Sequence, residues 1–370
     1  MRLRTWGNLI ALQPIEGSAS VLKSLATFTD FSPKERQKMP KISKQKSADL
    51  SVSNGSAKPF ARHAPKKPPR TDSGNLLAVA DCYIEAATAA NTRRNFASDL
   101  RHLLSHGIFA ESSPTAVLEY LAKFAGIHAV GTLERRMISL TKAAKQKNLP
   151  SPVKNLMVQQ ALRGIRRTHG VRPRRVTPVV KDTLLEMLIV GEKEQKPIQY
   201  ARDKCLLLLS FSAALRRSEA CALEVSDLTF QDDGLDLLIR RSKTDTMGAG
   251  QTIFVGFAKT ASRCPVAAMK NWLEIARIDE GPIFRAVTRS DRVLSDALSP
   301  QSVALIVKRA ATRIGANGDF SGHSLRAGYI TEGSQVGLAN WQIRAVSRHV
   351  NDVHMSVYIR PLSHKTPSLL

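Results

Sequence analysis

The sequence of 370 residues is poor in cysteine and lacks long apolar runs. Its four cysteines are Cys82, Cys205, Cys221 and Cys264. Because no two of them form a Cys-x-x-Cys pair, the pattern predicts neither a disulfide framework nor a zinc site, and it favours a reducing compartment. No apolar run approaches the roughly 20 residues of a membrane span. The stretch after Met1 is not expected to act as a signal peptide, because Asn8 interrupts it.

Acidic residues are few relative to basic ones. The chain has 31 aspartates and glutamates against 55 lysines and arginines, which gives a formal net charge of +24. Such a charge is expected of a protein that neutralises the phosphates of nucleic acid. An RNA binder of the ribosomal type or a protein bound to anionic lipid would be similarly basic, so charge alone does not identify the partner. A hydrophobic content of 43% excludes a wholly disordered chain and suffices for two ordinary domains.

Residues 1–75 are rich in lysine, serine and proline and include the basic run Lys66-Lys-Pro-Pro-Arg70. This composition buries too little apolar surface to offset the entropy of ordering, so we expect a disordered basic arm. Three interpretations remain open for it: an arm that tracks DNA or a partner, a solvated tail, and a translation start assigned too far upstream.

Apolar residues recur at helical spacing from Leu76 onward. Four helices are predicted, with starts at Thr92, Ser113-Pro114, Thr132 and Ser151-Pro152. These patterns predict a compact, all-helical domain over residues 76–170.

Arginine is dense around the end of this region. The residues concerned are Arg163, Arg166, Arg167, Arg172, Arg174 and Arg175, with no acidic residue among them. Gly170 and Pro173 prevent a continuous helix, so residues 171–176 are predicted to be a basic interdomain linker. A dense cluster of positive charges repels itself unless it meets counter-charge, which favours contact with DNA. A solvated hinge is the alternative.

Residues 177–370 are predicted to form a second, mainly helical domain with one β insertion. Residues 235–242 and 251–257 are strand-like and flank a turn at residues 243–250, which predicts a hairpin. Cys264-Pro265 and Ser299-Pro300 are predicted to open helices with proline as the first helical residue. The predicted fold class is therefore mainly α with a small β-hairpin or sheet insertion.

An ordered set of polar residues in the second half indicates the chemistry. Its members are Arg216, Lys243, His323, Arg326, His349 and Tyr358. Arginine, lysine and histidine can hold and protonate a phosphodiester, and a tyrosine can attack it, so the set indicates DNA strand transfer through a phosphotyrosine.

The segments that carry this set resemble the motifs of the tyrosine recombinase (phage integrase) family. They are Ala213-Ala-Leu-Arg-Arg-Ser-Glu219, Gly322-His-Ser-Leu-Arg326 and Arg348-His349 followed by Tyr358. Tyr358 follows His349 at the interval at which the family keeps its nucleophile. The segment from Asn91 to Leu100 resembles part of the core-binding domain of that family. The resemblance covers residues 76–361 and implies the two-domain fold of these enzymes.

The resemblance implies that four of these residues hold the scissile phosphate. Arg216 and Arg326 would clamp its non-bridging oxygens. His323 would help with proton transfer and charge neutralisation. His349 would donate a hydrogen bond to the phosphate, and a histidine that merely caps its helix is the alternative.

The resemblance assigns proton transfer and attack to two more residues. Lys243, on the hairpin, would protonate the 5′-hydroxyl leaving group. Tyr358 would form a 3′-phosphotyrosyl bond, which conserves the energy of the diester, so no nucleotide or metal is needed. Phosphate-loop glycine patterns and metal-ligand clusters are also missing from the sequence, and we expect no cofactor.

The sequence departs from the family pattern at two positions near these motifs. Ala214 and Arg348 stand where the family often has glycine. Glu219 occupies a position where the family keeps an acidic residue that would support the site. A plain i,i+3 salt bridge between Arg216 and Glu219 is an equally acceptable interpretation.

Further arginines are predicted to contact DNA: Arg93, Arg94, Arg163, Arg166, Arg167, Arg172, Arg174, Arg175 and Arg241. The resemblance implies double-stranded DNA as the partner and a homotetramer on paired sites, and it is compatible with accessory DNA-bending or directionality proteins. We expect a cytoplasmic, nucleoid-associated protein without membrane association.

These observations predict a site-specific recombinase, the integrase of a mobile element. A catalytically silent DNA-binding regulator with the same fold is the alternative from another class. A type IB topoisomerase would share the chemistry but would relax supercoils as a monomer, without two recombining sites.

Overall fold

The structure is a computed structural model of the 370-residue chain. It describes residues 76–170, 175–242, 245 and 248–349, apart from the side chains of Leu77 and Ala78. The predicted arm over residues 1–75, most of the predicted linker, Lys243 and Tyr358 lie outside the described residues.

The stretch from Leu76 to Gly170 is helical, as predicted. Its elements are α1 (Leu76–Ala86), α2 (Ala90–Leu104), α3 (Pro114–Phe124), α4 (Val130–Gln146), a 3₁₀ turn (Pro152–Lys154) and α5 (Leu156–His169). The start at Ser113-Pro114 is confirmed, and the Ser113 hydroxyl accepts a hydrogen bond from the backbone N–H of Ala116 at 3.2 Å.

Three predicted helix starts in this region are wrong in detail. Helix α2 begins before Thr92, at Ala90, and α4 begins before Thr132, at Val130. After Ser151 the chain makes only the 3₁₀ turn. Helix α5 begins at Leu156, and the side chain of its N-cap, Asn155, accepts a hydrogen bond from the N–H of Met157 at 2.9 Å. Helix α1 was not among the predicted helices. Local capping residues therefore locate helix ends only to within a few positions.

One hydrophobic cluster holds these helices together. Leu103, Leu121, Leu133 and Leu140 are almost fully buried in it. Asp99 is also buried, but its carboxylate accepts hydrogen bonds from Arg135 at 2.8 Å and from Ser139 at 3.0 Å. The buried charge is therefore compensated.

The stretch from residue 177 to residue 349 is mainly helical with two small sheets. Its helices are α6 (Lys181–Glu194), α7 (Pro197–Ser212), α8 (Arg217–Ala222), α9 (Pro265–Ala276), α10 (Pro300–Arg313), α11 (Ser324–Gln335) and α12 (Asn340–Ser347). Short 3₁₀ turns cover Val225–Asp227 and Ala261–Arg263. The strands are β1 (Leu228–Phe230), β2 (Gly234–Ile239), β3 (Gln251–Gly256), β4 (Arg285–Val287) and β5 (Val293–Ala297). The helix starts at Pro265 and Pro300 are confirmed.

The predicted hairpin is confirmed, and two features join it that the sequence did not indicate. Strands β2 and β3 are antiparallel, with Leu237 opposite Ile253. Strand β1 pairs with the other edge of β2, and β4 and β5 form a second hairpin. The sequence therefore predicted too few strands, because β1 and β4, with three residues each, are too short to show alternation.

Helix α7 lies in the main core, where it packs against α9 and α11. Leu206 and Leu209 of α7 are fully buried, as is Trp272 of α9, whose indole N–H donates to the carbonyl of Ile283 at 2.9 Å. A helix that is buried nearly all round must be apolar nearly all round. This explains the leucine run in the sequence before Arg216.

Candidate active site

The turn after α7 carries Arg216. Helix α7 ends at Ser212, and Ala214 then adopts a left-handed conformation with φ of 45°. Arg216 is the N-cap of α8 and lies beyond the end of the apolar helix. Glycine adopts positive φ without the steric penalty that Cβ causes, so the conformation of Ala214 accounts for the glycine that the family often has there.

Glu219 lies at the centre of a buried hydrogen-bond network. Its carboxylate accepts the backbone N–H of Arg216 at 2.8 Å, the Nη1 of Arg216 at 2.6 Å and the Nη2 of Arg348 at 2.7 Å. The i,i+3 salt bridge is therefore present, and a second arginine joins it. Burial pushes the pKa of Glu219 upward, but the charge of Arg348 and the hydrogen bonds from Arg216 outweigh it and hold that pKa below its usual value.

His323 and Arg326 lie at the start of α11. His323 is the N-cap of α11 and is exposed, whereas Arg326 is buried. The Nη1 of Arg326 donates to the carbonyl of Ala214 at 2.8 Å. This bond joins the second predicted phosphate clamp to the turn that carries the first one.

His349 lies just beyond the end of α12, which stops at Ser347. Both of its ring nitrogens are 3.5 Å from the Nη2 of Arg326, and its Nδ1 is 2.9 Å from the hydroxyl oxygen of Ser347. The helix is capped by Arg348 and not by His349. The imidazole therefore stands beside Arg326, where a phosphate held by that arginine would also reach it.

Arg348 belongs to this network, although the sequence indicated no partner for it. The sequence showed only that an arginine replaces a common glycine. In the structure its guanidinium is buried against Glu219 and the turn before Arg216. Burial lowers the pKa of Arg348, and the charge of Glu219 opposes that effect.

A cavity of about 660 Å³ lies between the hairpin and α12. Ser242 and Asp245 of the hairpin line it, as do Arg344 and His349 at the end of α12. The Asp245 carboxylate accepts the backbone N–H groups of Gly250, Ala249 and Gly248 at 2.9, 3.1 and 2.8 Å, which organises the described part of the hairpin turn. Lys243 lies outside the described residues, but its neighbour Ser242 borders the same cavity as His349.

The other predicted DNA-contacting arginines are exposed wherever the structure describes them. These are Arg93, Arg94, Arg163, Arg166, Arg167, Arg175 and Arg241. Arg163, Arg166 and Arg167 lie on α5, so this part of the arginine cluster is helical rather than part of a linker. Arg166 forms a salt bridge with Glu134, and Arg93 donates to the backbone carbonyl oxygens of Glu85 and Thr88. Arg172 and Arg174 lie outside the described residues.

Across the residues that the structure describes, no helix has both the length and the apolar character that a membrane crossing requires.

Known proteins resemble this chain in sequence and in fold. The model of the phage integrase family matches residues 182–364. An integrase/recombinase xerD homolog of Selenomonas ruminantium is 33% identical over 285 residues, which cover 75% of this chain and 83% of the relative.

A lambda integrase dimer bound to a COC′ core site matches with a TM-score of 0.55 and 14% identity, over 78% of this chain and 77% of that one. A lambda integrase tetramer bound to a Holliday junction matches with a TM-score of 0.53 and 13% identity, over 76% of this chain and 75% of that one. The chain therefore belongs to the tyrosine recombinase (phage integrase) family and is an enzyme of that class.

Proposed function

We propose that this enzyme cleaves and rejoins double-stranded DNA at specific sites through a 3′-phosphotyrosyl intermediate, with Tyr358 as the nucleophile. The observation that carries the proposal is the convergence of Arg216, Arg326 and His349 on one network. These residues come from three separate segments, yet Glu219 accepts from Arg216 at 2.6 Å, the carbonyl of Ala214 accepts from Arg326 at 2.8 Å, and the ring of His349 lies 3.5 Å from Arg326.

The charge of the network supports an anionic ligand. The carboxylate of Glu219 pairs with Arg216 and Arg348, and the carbonyl of Ala214 accepts from both Arg348 and Arg326. Guanidinium groups held close together favour an anion, and a phosphodiester between Arg216 and Arg326 would accept charge-assisted hydrogen bonds from both. Preorganised guanidinium and imidazole donors would also stabilise the negative charge on the non-bridging phosphate oxygens during attack.

The remaining steps need a nucleophile and an acid. The Tyr358 phenolate would attack phosphorus in line, and the 5′-hydroxyl would leave with a proton from Lys243. His323, at the N-cap of α11, and the positive end of that helix would assist charge neutralisation. Rejoining is the reverse reaction, with a 5′-hydroxyl attacking the phosphotyrosine.

The assembly that we propose follows the named complexes of lambda integrase, which are a dimer on a core site and a tetramer on a Holliday junction. We propose that this chain acts as a tetramer on paired sites, in the cytoplasm with the nucleoid, for a mobile element. Residues 76–170 and 177–370 would be its two domains, joined by residues 171–176. The separate hydrophobic clusters of the two stretches support this division.

The proposal is tested with a nicked duplex that carries the short repeats flanking the gene. The protein is incubated with it, and denaturing electrophoresis detects protein attached to a 3′ end. The parent protein should form the adduct, Tyr358→Phe should bind DNA without forming it, and Arg326→Ala should weaken both binding and adduct formation. Tyr83→Phe, at an exposed tyrosine of α1, is the matched control and should react like the parent. DNA binding by the parent without any adduct would instead favour the silent regulator.

A further inference from the structure

The backbone of Arg348 is in a conformation that arginine disfavours. Its φ of 58° and ψ of 40° lie in the left-handed region, where Cβ comes too close to the following carbonyl oxygen. Glycine takes this conformation freely, and the family often has glycine here. Strained residues persist where the surrounding structure holds them in place. The contacts of the side chain show what holds Arg348.

The terminal donors of Arg348 are all occupied by the protein itself. Its Nη1 donates to the carbonyls of Ala213 at 3.1 Å and Val346 at 2.7 Å. Its Nη2 donates to the carbonyl of Ala214 at 3.0 Å and to Glu219 at 2.7 Å. The two terminal nitrogens carry four N–H groups, so these four acceptors use all of them. With its side chain only 2% exposed, Arg348 has no terminal donor left for a DNA phosphate.

The acceptors of Arg348 belong to the elements that carry the predicted phosphate ligands. Ala213 and Ala214 form the turn ahead of Arg216, and Val346 lies in the last turn of the helix ahead of His349. The carbonyl of Ala214 also accepts the Nη1 of Arg326. One buried side chain therefore ties the Arg216 turn to the helix end ahead of His349, and it shares the Ala214 carbonyl with Arg326.

Arg348 also changes how Glu219 is used. The Oε1 of Glu219 accepts from the guanidinium of Arg216, whereas its Oε2 accepts from the guanidinium of Arg348 and from the backbone N–H of Arg216. Without Arg348, the only guanidinium paired with this carboxylate among the described residues would be that of Arg216, which would neutralise that phosphate clamp more fully.

We propose that Arg348 is a positioning residue that fixes the Arg216 turn against the helix end of His349 and keeps Arg216 available for the scissile phosphate. This inference rests on the proposed function, because it concerns the same pocket. A merely structural arginine would affect stability alone. A positioning residue affects the rate of cleavage when the DNA is already bound.

The test compares single-turnover cleavage at saturating protein with DNA affinity. Arg348→Gly removes the backbone strain along with the side chain, so we expect it to fold. We expect its cleavage rate to fall about tenfold or more, since small misplacements of reacting groups can cost about a hundredfold. Its dissociation constant for the duplex should stay within about twofold of the parent value, because Arg348 does not contact DNA.

A matched control is available at the end of α9. Arg277 is also a left-handed arginine at a helix C-cap, with φ of 50°, but it is exposed. Arg277→Gly removes the same strain and the same charge away from the pocket and should cleave at the parent rate. Arg348→Lys keeps the charge but has three donors for four acceptors, so we expect a rate between those of Arg348→Gly and the parent.

A double-mutant cycle with Glu219→Gln tests whether Arg348 acts through Glu219. If the two residues act as a unit, the double variant should cleave about as fast as the slower single variant. The inference would be overturned if the rate losses of the two single variants multiplied in the double variant. It would also be overturned if Arg348→Gly cleaved at the parent rate, or if Arg348→Gly lost cleavage rate and DNA affinity equally. If Arg348→Gly does not fold, a parent rate in folded Arg348→Lys overturns it. A parent protein that forms no adduct would instead overturn the proposed function.

Discussion

Replacing Gly328 with alanine should destabilise the fold around the active site. Gly328 lies on α11, and a Cβ at this position would be 1.7 Å from the carbonyl oxygen of Val179. The backbone of Val179 would have to retreat by more than an ångström, and its N–H would lose the 2.9 Å hydrogen bond to the carbonyl of Ser324. Overpacking costs about 1–3 kcal/mol or more, and a lost hydrogen bond adds about 1 kcal/mol. Alanine recovers at most about 1 kcal/mol in helix propensity.

We therefore expect Gly328→Ala to lose about 3 kcal/mol of unfolding free energy. For a domain of this size, that loss lowers the melting temperature by about 6–12 °C. Circular dichroism during thermal and urea unfolding measures it. Gly164→Ala is the control, since Gly164 lies on α5 and a Cβ there would have nothing within 4 Å of it, and the variant should be neutral or stabilising. A Gly328→Ala variant as stable as the parent would show that α11 does not pack on Val179 as described.

Three further predictions concern the basic segment, the arm and the buried thiol. Replacing the predicted linker arginines with alanine should flatten the slope of log affinity against log salt by about 0.9 for each phosphate that is no longer neutralised. An unchanged slope would mean that these arginines do not contact DNA. The residues are Arg172, Arg174 and Arg175. Deleting residues 1–75 should leave soluble expression and covalent attachment intact, because the sequence there lacks apolar periodicity. Burial raises the pKa of the Cys205 thiol, so a thiol reagent should modify Cys205 only as the protein unfolds, whereas rapid labelling of the native protein at neutral pH would contradict its burial.

Patterns that span a whole element could be predicted from the sequence. The strand-like runs at residues 235–242 and 251–257 indicated both strands of the main hairpin, and proline at the first helical position located the helix starts at Pro265 and Pro300. The end of α7 was harder to predict because the apolar run continues to Leu215, past the point where the helix stops. The left-handed turn there occurs at an alanine, which carries no signal for that conformation.

The sequence predicted which residues of the candidate site follow one another along the chain, but not the hydrogen bonds that join them. The motifs around Arg216, Arg326 and His349 identified residues that the structure brings together. The ion pair between Arg348 and Glu219 joins residues 129 positions apart, and no local pattern encodes such a contact. Arg348 could be noticed only as a departure at a glycine position, so its role became visible through its hydrogen bonds.

Identifying the residue that carries DNA after cleavage tests the central claim most directly. The covalent adduct formed with the nicked duplex would be digested with nuclease and protease, and the peptide that retains a nucleotide would be sequenced by mass spectrometry. We predict a nucleotide joined through its 3′ phosphate to the phenolic oxygen of Tyr358. A nucleotide on any other residue, or a 5′ linkage, would contradict the assignment of Tyr358 as the nucleophile and the alignment of the site residues that depends on it.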